Sequence, residues 1–244
     1  MEILGIDIGG SGIKGAPVNN RSGMLTAERK RIPTPSPATP EEITDTFARI
    51  VKYFNWSGSI GCGFPAVVRN GIVGTASNID KRWIGQNVSQ LFTEAAGNET
   101  VVINDADAAG VAEIAFGAGR GVKGVVVIIT VGTGIGTAVF SNGHIFPNTE
   151  LGQIIIDGKI AEHFASDAVR KKEDLSWKKW TKRFNTFLAE IERLLWPDLI
   201  IIGGGVSKKQ GKFFQYLDTK AKILPAKLLN EAGIIGAATA KTFF

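Results

Sequence analysis

Short apolar runs rich in Ile and Val alternate with polar, helix-forming stretches along the chain. In the first half, the apolar runs predict strands at residues 3–8, 12–18, 25–32, 59–64 and 101–103. In the second half, they predict strands at residues 125–130, 136–140 and 199–202. Capped, periodic or alanine-rich stretches predict helices at residues 39–55, 106–116, 167–195 and 232–242, with one more after residue 205. The alternation indicates an α/β protein.

The second half repeats the order of the first, with a pair of strands followed by helices and a further strand. No linker rich enough in Pro, Gly or Ser separates the halves. We therefore expect two facing lobes. The first covers residues 1–104, with the C-terminal helix at 232–244 packing back on it, and the second covers residues 105–231.

Two glycine turns lie between apolar strand-like runs. The first contains Gly9, Gly10, Ser11 and Gly12 and is followed by Lys14; the second contains Gly132, Thr133 and Gly134 and is preceded by Thr130. Glycine lets successive backbone N–H groups converge on one point, and such a concavity suits phosphate oxygens. Two such turns predict a site for a polyphosphate.

Other interpretations of the turns fit less well. A dinucleotide-binding turn needs a helix directly after the glycines, but residues 13–18 contain Gly15 and Pro17 and resemble a second strand. The P-loop spacing GxxxxGK[ST] is also absent. Each turn alone could be an ordinary hairpin. Two similar hairpins, one with Asp7 and Lys14 beside its glycines, favour phosphate binding.

Composition narrows the class of protein only moderately. The 244 residues carry a net charge of +5, which suits an anionic ligand but is common among proteins. No apolar run is long enough to cross a bilayer, and the basic residues lack a nucleic-acid recognition motif. We expect neither a membrane nor a nucleic acid as partner.

The single cysteine and the start of the sequence add further expectations. Cys62 is the only cysteine, which excludes a disulfide within the chain and a cysteine-rich zinc site, and favours a reducing cytoplasm. Met1 leads almost at once into the first strand, so we expect neither a signal peptide nor a preceding DNA-reading module.

Asn104 and Asp105 stand where an apolar run stops and a helix is predicted to begin. Ligands in α/β proteins are handled at this carboxyl edge of a sheet. Asp105 is either a cap for the helix or a base that accepts the proton of a substrate hydroxyl, with Asn104 orienting the substrate.

Acidic and amide residues follow the second glycine turn. Glu150 and Gln153 lie in the stretch NTELGQ, and Glu162 follows shortly after. Carboxylates repel phosphate, but they suit the hydroxyls of a neutral polyol. Each of them could be a solvated surface group, whereas together they indicate a sugar.

Basic residues occur in two further places. Gly203, Gly204 and Gly205 end an apolar run and are followed by Lys208 and Lys209. The stretch RKKEDLSWKKWTKR places basic residues around two tryptophans. An amphipathic helix with a solvated lysine face explains this second stretch better than a specific anion site.

Taken together, GIDIGGSGIKGAPV, GFPAVV, NDADAAGVAE, PNTELG and PDLIIIGGGVSKK resemble the ROK (repressor, open reading frame, kinase) sugar kinases, and within them the bacterial enzymes that use polyphosphate. The resemblance covers essentially the whole chain. It implies a two-lobed, actin-like ATPase (ribonuclease H-like) α/β fold with a ligand cleft between the lobes. It also implies a homodimer and transfer of the terminal phosphoryl group of inorganic polyphosphate, and sometimes ATP, to the 6-hydroxyl of glucose.

The resemblance also implies roles for single residues. Asp105 would be the base, Asp7 would lie near Mg²⁺, and Lys14 would lie near the phosphate chain. The three glycine turns, with Thr130, Lys208 and Lys209, would bind phosphate. The glucose ligands would be Gly63, Asn78, Asn104, Asp105, Glu150, Gln153 and Glu162.

The sequence departs from the family pattern in two places. The cysteine cluster that binds zinc in most of the family is absent, in agreement with the polyphosphate branch. The usual motif has His where this chain has Gln153. A glutamine amide can donate to a sugar hydroxyl but cannot carry a proton, which leaves glucose or mannose selectivity open. An ATP-dependent hexose kinase and a non-catalytic sugar or polyphosphate sensor are the alternatives.

Overall fold

The structure is a computed structural model that describes residues 1–77 and 79–243. Its contacts divide the chain into two compact units. The first contains Met1–Phe116 together with the C-terminal segment from Glu231, and the second contains Gly117–Asn230. The sequence-based limit at residue 104 differs from this division, because the helix that begins at Asp105 packs on the C-terminal helix and so belongs to the first unit.

The first unit is built from a mixed sheet and flanking helices. In chain order its elements before residue 117 are β1 (Glu2–Gly9), β2 (Gly12–Asn19), β3 (Met24–Leu25), β4 (Lys30–Ile32), α1 (Pro40–Tyr53), β5 (Ile60–Phe64), β6 (Val68–Arg69), β7 (Ile72–Val73), a 3-10 helix (Lys81–Trp83), α2 (Val88–Ala96), β8 (Thr100–Asn104) and α3 (Asp105–Ala115).

The main sheet of this unit has the strand order β3-β2-β1-β5-β8, with β4 also paired to β2. The β1–β2 pair is an antiparallel hairpin, and β5 and β8 run parallel to β1. Helix α1 begins at Pro40 because Thr39 caps the backbone N–H of Glu42 and proline needs no donor in the first turn. Its apolar face packs Phe47 against Phe92 of α2, with ring centroids 4.2 Å apart.

The second unit repeats this plan. In chain order its elements are β9 (Val125–Val131), β10 (Ile135–Ser141), β11 (His144–Phe146), a 3-10 helix (Leu151–Gln153), β12 (Ile155–Ile156), β13 (Lys159–Ile160), α4 (Glu162–Ala165), α5 (Asp167–Lys172), α6 (Trp177–Leu195), β14 (Leu199–Gly204), 3-10 helices (Ser207–Lys212 and Phe214–Tyr216) and β15 (Lys222–Pro225).

The sheet of the second unit has the order β11-β10-β9-β14-β15. Again the first two long strands, β9 and β10, form an antiparallel hairpin, and β14 pairs parallel to β9. Helix α6 buries Trp180, Phe184 and Phe187 against this sheet. The lysines of its first turns are exposed, as the amphipathic pattern predicts.

The C-terminal helix, α7 (Ala232–Thr239), follows a 3-10 helix (Leu229–Glu231) and leads into another (Ala240–Thr242). Its backbone approaches β1 and α3 closely because the contacts are glycines. A Cβ on Gly5 would lie 2.0 Å from the carbonyl oxygen of Ile234, and one on Gly236 would lie 1.6 Å from that of Ala108. The sheet, α3 and α7 of this unit therefore pack with main chain against main chain.

Three sequence predictions need correction. The strand expected at 25–32 is two short strands, because residues 26–29 leave the ladder after Thr26 donates its backbone N–H to Pro17. The helix expected after residue 205 is a kinked 3-10 segment, Ser207–Lys212. Strand β15 was not predicted. Within the described residues, the structure has no helix with the length and apolarity needed to span a membrane.

Candidate active site

The first glycine turn closes the β1–β2 hairpin, with Gly9 paired to Gly12. Two side chains hold its carbonyl groups: Thr34 Oγ1 donates to Gly9 at 2.5 Å, and Arg31 Nη2 donates to Ser11 at 2.5 Å. A Cβ on Gly12 would lie 2.5 Å from Arg31 Nε. Glycine at position 12 therefore leaves the space that the guanidinium occupies.

A row of side chains crosses the sheet beside this turn. Asp7 is in register with Lys14 on β2, and Lys14 is in register with Arg31 on β4. Lys14 Nζ lies 3.2 Å from Asp7 Oδ2, and both side chains are mostly buried. On the other side, Asp7 is in register with Gly63 of β5. The sheet thus aligns the predicted metal and phosphate residues.

Asp7 also lies against the first turn of α7. A Cβ on Gly233 would stand 2.7 Å from the carboxyl carbon of Asp7, so only glycine leaves this space. In the described part of the chain, no group of three or more His, Cys, Asp or Glu side chains forms a metal cage. Mg²⁺ commonly uses one or two protein carboxylates together with substrate phosphates, and the single Asp7 carboxylate fits that pattern.

Asn104 and Asp105 lie at the carboxyl end of β8. Asn104 is the N-cap of α3: its Oδ1 accepts from the backbone N–H of Ala106 at 2.8 Å and of Asp107 at 3.1 Å. Its Nδ2 donates to the carbonyl of Ala66. Asn104 is buried, whereas the half-buried Asp105 is the first residue of the helix. Sequence analysis left open whether Asp105 is the cap of this helix. In the structure the cap is Asn104.

Gly63 is located beside the predicted base. A Cβ at this position would lie 3.5 Å from Cα of Asp105 and 3.3 Å from Cβ of Ala108. Gly63 therefore lies directly beside the first turn of α3, where a Cβ would make a close but near-normal contact. Asn78, the other predicted pocket residue of this unit, lies outside the described residues.

The second glycine turn closes the β9–β10 hairpin. Gly132 donates its backbone N–H to Gly134, and its carbonyl accepts from Ala168 of α5. Thr130 pairs with Gly203 and Val131 pairs with Gly204 on the parallel strand β14. Gly204 has φ +75°, and a Cβ there would lie 2.5 Å from the carbonyl oxygen of Val131. The second and third glycine turns are therefore side by side.

Beyond the third turn, the chain continues into the kinked 3-10 segment Ser207–Lys212. Lys208 and Lys209 are exposed, whereas Ser207 is buried and donates its hydroxyl to Gly204 at 2.8 Å. Phe213 stacks on Trp177 of α6, with ring centroids 5.7 Å apart. An aromatic contact thus supports the segment, and its lysines face solvent.

The predicted sugar-binding acids are built onto the start of β10. Glu162 Oε2 accepts the backbone N–H of Ile135 at 3.2 Å, directly after the second glycine turn. Glu162 Oε1 accepts from Gln153 Nε2 at 2.7 Å. Gln153 therefore orients the Glu162 carboxylate. This function needs a hydrogen-bond donor but not a side chain that can gain or lose a proton.

Glu150 belongs to the same cluster. Although its side chain reaches solvent, the surrounding protein raises the pKa of its carboxyl, first by desolvation and then by the negative charge of Glu162. The segment is held on β10, because Thr137 Oγ1 donates to the Thr149 carbonyl and accepts from the Leu151 N–H. A Cβ on Gly152 would lie 2.1 Å from the Ile135 carbonyl oxygen.

The predicted residues thus form one group in each unit. The first unit carries the first glycine turn, Asp7, Lys14, Gly63, Asn104 and Asp105 at the carboxyl end of its sheet. The second unit joins the other two glycine turns to Gln153 and Glu162. Sequence reasoning missed Arg31, Thr34 and Thr137. The pairing of β2 with β4 places Arg31 beside Lys14. Sequence analysis predicted one continuous strand at 25–32 and therefore could not predict this pairing.

Comparison with known proteins identifies the family of the chain. The model of the ROK family matches residues 3–157. A polyphosphate glucokinase of Mycobacterium tuberculosis is 46% identical over 238 residues, which cover 97% of this chain and 90% of the relative. The chain belongs to the ROK family.

Solved structures share the fold. An inorganic polyphosphate/ATP-glucomannokinase from Arthrobacter sp. strain KM has a TM-score of 0.96 and 43% identity, covering 99% of this chain and 98% of that one. A ROK glucokinase from Streptomyces griseus, crystallised with glucose and AMPPNP, has a TM-score of 0.82 at 23% identity, covering 98% and 99%. The expected actin-like α/β fold class is confirmed.

Proposed function

We propose that this protein transfers the terminal phosphoryl group of inorganic polyphosphate to the 6-hydroxyl of glucose. The observation that carries the proposal is the 46% identity to a polyphosphate glucokinase over 97% of the chain. The glycine turns, the Asp7–Lys14 pair and the Asn104–Asp105 helix start support it, because they supply phosphate-binding amides and a base.

In this reaction, Asp105 accepts the proton of the glucose 6-hydroxyl. The oxygen bonds to the terminal phosphorus as the bond from that phosphorus to the bridging oxygen breaks, which leaves a polyphosphate shorter by one unit. Asn104 keeps Asp105 in place by capping α3. Glu150, Gln153 and Glu162 bind sugar hydroxyls, and the glycine turns and Lys14 stabilise phosphate charge.

Asp7 is the residue that would hold Mg²⁺ beside the phosphate chain of the donor. When bound, the ion supplies positive charge that offsets the charge of the phosphate chain. Lys14 Nζ, 3.2 Å from Asp7, keeps the carboxylate in a defined position next to the first glycine turn.

The main alternative function is a hexose kinase that uses ATP as the phosphoryl donor and glucose or mannose as the sugar. The Arthrobacter protein is described as a polyphosphate/ATP-glucomannokinase, so ATP and mannose are the substrates to compare. The deciding experiment measures glucose and mannose phosphorylation by the purified protein with polyphosphate and with ATP in parallel. We expect a higher kcat/KM with polyphosphate and glucose. Activity with ATP alone would contradict the proposal, and sugar binding without turnover would indicate a sensor.

The resemblance also supports a homodimer as the assembly. Light scattering of the purified protein at several concentrations measures the mass directly. A mass equal to that of one 26.0 kDa chain at every concentration would contradict this assignment.

A further inference from the structure

The first glycine turn has two cations beside it, and their charges are compensated differently. Lys14 is paired with Asp7, Nζ to Oδ2 at 3.2 Å, so much of its positive charge is already neutralised. Arg31 is exposed and has no carboxylate partner within residues 1–77 and 79–243. Of the two cations beside this turn, Arg31 is therefore the one whose positive charge is not compensated by a carboxylate and can attract a phosphate.

The guanidinium is also held in place at the turn. Its Nη2 donates to the Ser11 carbonyl at 2.5 Å, and its Nε and Cζ occupy the space where a side chain at position 12 would begin. The register pairs Arg31 with Lys14 across neighbouring strands, so both side chains project from the same face of the sheet. Anchoring one N–H reduces the entropy lost when the other N–H groups bind an anion.

A guanidinium has five N–H donors in a fixed planar arrangement that suits bidentate contacts with phosphate oxygens. One of them is used on Ser11. Resting on the function proposed above, we propose that Arg31 binds the phosphoryl donor. It contacts a phosphate of the polyphosphate chain with the N–H groups that remain after the Ser11 bond.

The competing explanation is structural. Arg31 could act only by fixing the turn through the Ser11 carbonyl, as Thr34 fixes Gly9. The two explanations differ in what they predict for a donor probe that is not turned over. A binding role raises the Kd for inorganic tripolyphosphate while thermal stability is retained, whereas a purely structural role changes Kd only together with thermal stability, because the turn itself is then disturbed.

The experiment compares Arg31→Ala, Arg31→Lys and a matched control, Arg21→Ala. Arg21 is exposed and lies just beyond the end of β2 that is opposite the glycine turn. Replacing it with Ala removes the same charge as Arg31→Ala. Calorimetry with inorganic tripolyphosphate gives Kd, and steady-state kinetics give KM for polyphosphate and for glucose. Thermal unfolding of each variant verifies that it is folded.

For Arg31→Ala we expect tripolyphosphate Kd and polyphosphate KM to rise about ten- to a hundredfold. This factor corresponds to the loss of a charge-assisted hydrogen bond. Glucose KM should change little. Arg31→Lys should recover part of this loss, because it keeps the charge without the planar donor pair. Arg21→Ala should stay within about twofold of wild type.

Equal Kd values for Arg31→Ala and Arg21→Ala would overturn the inference. So would a drop in kcat or thermal stability with unchanged Kd, or a rise in Kd that occurs only with a matching loss of thermal stability. If Arg31→Ala does not fold, Arg31→Lys decides the question, and an unchanged Kd there overturns bidentate binding. The wild-type protein separates this inference from the proposed function: failure to phosphorylate glucose from polyphosphate rejects the function, while tripolyphosphate Kd still tests Arg31.

Discussion

The two hairpins that carry the first and second glycine turns share a plan but differ in their chemistry. Each pairs two long antiparallel strands, and each has a parallel strand beside the first of them. Next to the first turn stand Lys14 and Arg31, with Asp7 balancing the lysine. Next to the second turn, the first residue of β10 donates its backbone N–H to the carboxylate of Glu162.

The two hairpins therefore bring different side chains to similar glycine turns: cations to the first turn and a carboxylate to the second. Cations and backbone amides suit a phosphate chain, whereas carboxylates suit hydroxyl groups. The hairpin supplies only the geometry. The residues that neighbouring elements bring to each turn decide what it can bind.

The largest expected effect is the loss of the base. Asp105→Asn keeps the oxygen that accepts from Ala106 but cannot take a proton, so kcat should fall roughly a hundred- to ten-thousandfold. Tripolyphosphate Kd should change little. Asp45→Asn on the exposed face of α1 provides the matched control. Near-normal turnover of a folded Asp105→Asn protein would remove Asp105 from the mechanism.

The carboxylate at the second hairpin should act mainly on sugar binding. Glu162→Gln puts an amide where two donors, Ile135 N–H and Gln153 Nε2, now meet carboxylate oxygens. The neutral amide is a weaker acceptor for sugar hydroxyls than the carboxylate, and we expect glucose KM to rise about tenfold or more. Tripolyphosphate Kd should stay unchanged.

Glu190→Gln serves as the control for this variant, because it disrupts a surface ion pair with Arg193 on α6. A rise in tripolyphosphate Kd equal to the rise in glucose KM would contradict the assignment of Glu162 to sugar binding.

The first hairpin can be tested through its glycines. Gly12→Ala should displace the Arg31 guanidinium and weaken tripolyphosphate binding by up to about tenfold. Combined with Arg31→Ala, it should cause little further loss, because both changes remove the same contact. Gly10→Ala, whose added methyl meets no atom within 4 Å, should be additive with Arg31→Ala. Additivity in both cycles would contradict the contact between Arg31 and Gly12.

The smallest effect concerns the pH dependence of stability. The pKa of Glu150 is raised in the folded protein by desolvation and by Glu162, so the folded state holds this proton more tightly than the unfolded chain. Its contribution to stability is therefore present below the ordinary value of 4.5 and is lost as the pH rises through the raised pKa.

Glu150→Gln should flatten the pH profile of Tm over this window. Glu2→Gln, at an exposed residue of β1, is the control. An unchanged slope in Glu150→Gln would show that the environment of Glu150 does not favour its protonated form.

Much of the fold was predictable because it depends on local patterns. The Ile- and Val-rich runs that end in glycine gave the long strands to within about two residues, and the Thr39–Pro40 start placed α1. The split of residues 25–32 was not predictable, because it depends on two separate pairings with β2. The lysine-rich segment after residue 205 was predicted as a helix but forms a kinked 3-10 segment, and Phe213 directly after it stacks on Trp177.

The sequence by itself determined which chemical groups this protein carries and the order in which they occur. Strand periodicity, glycine positions and helix caps act over a few residues, so they can be predicted from the sequence. Only the tertiary structure decided that Arg31 lies against Gly12, that Gln153 orients Glu162, and that Asn104 rather than Asp105 caps α3. The first two are contacts between different elements whose relative placement depends on pairing and packing, and the third depends on which side chain turns back onto the helix start.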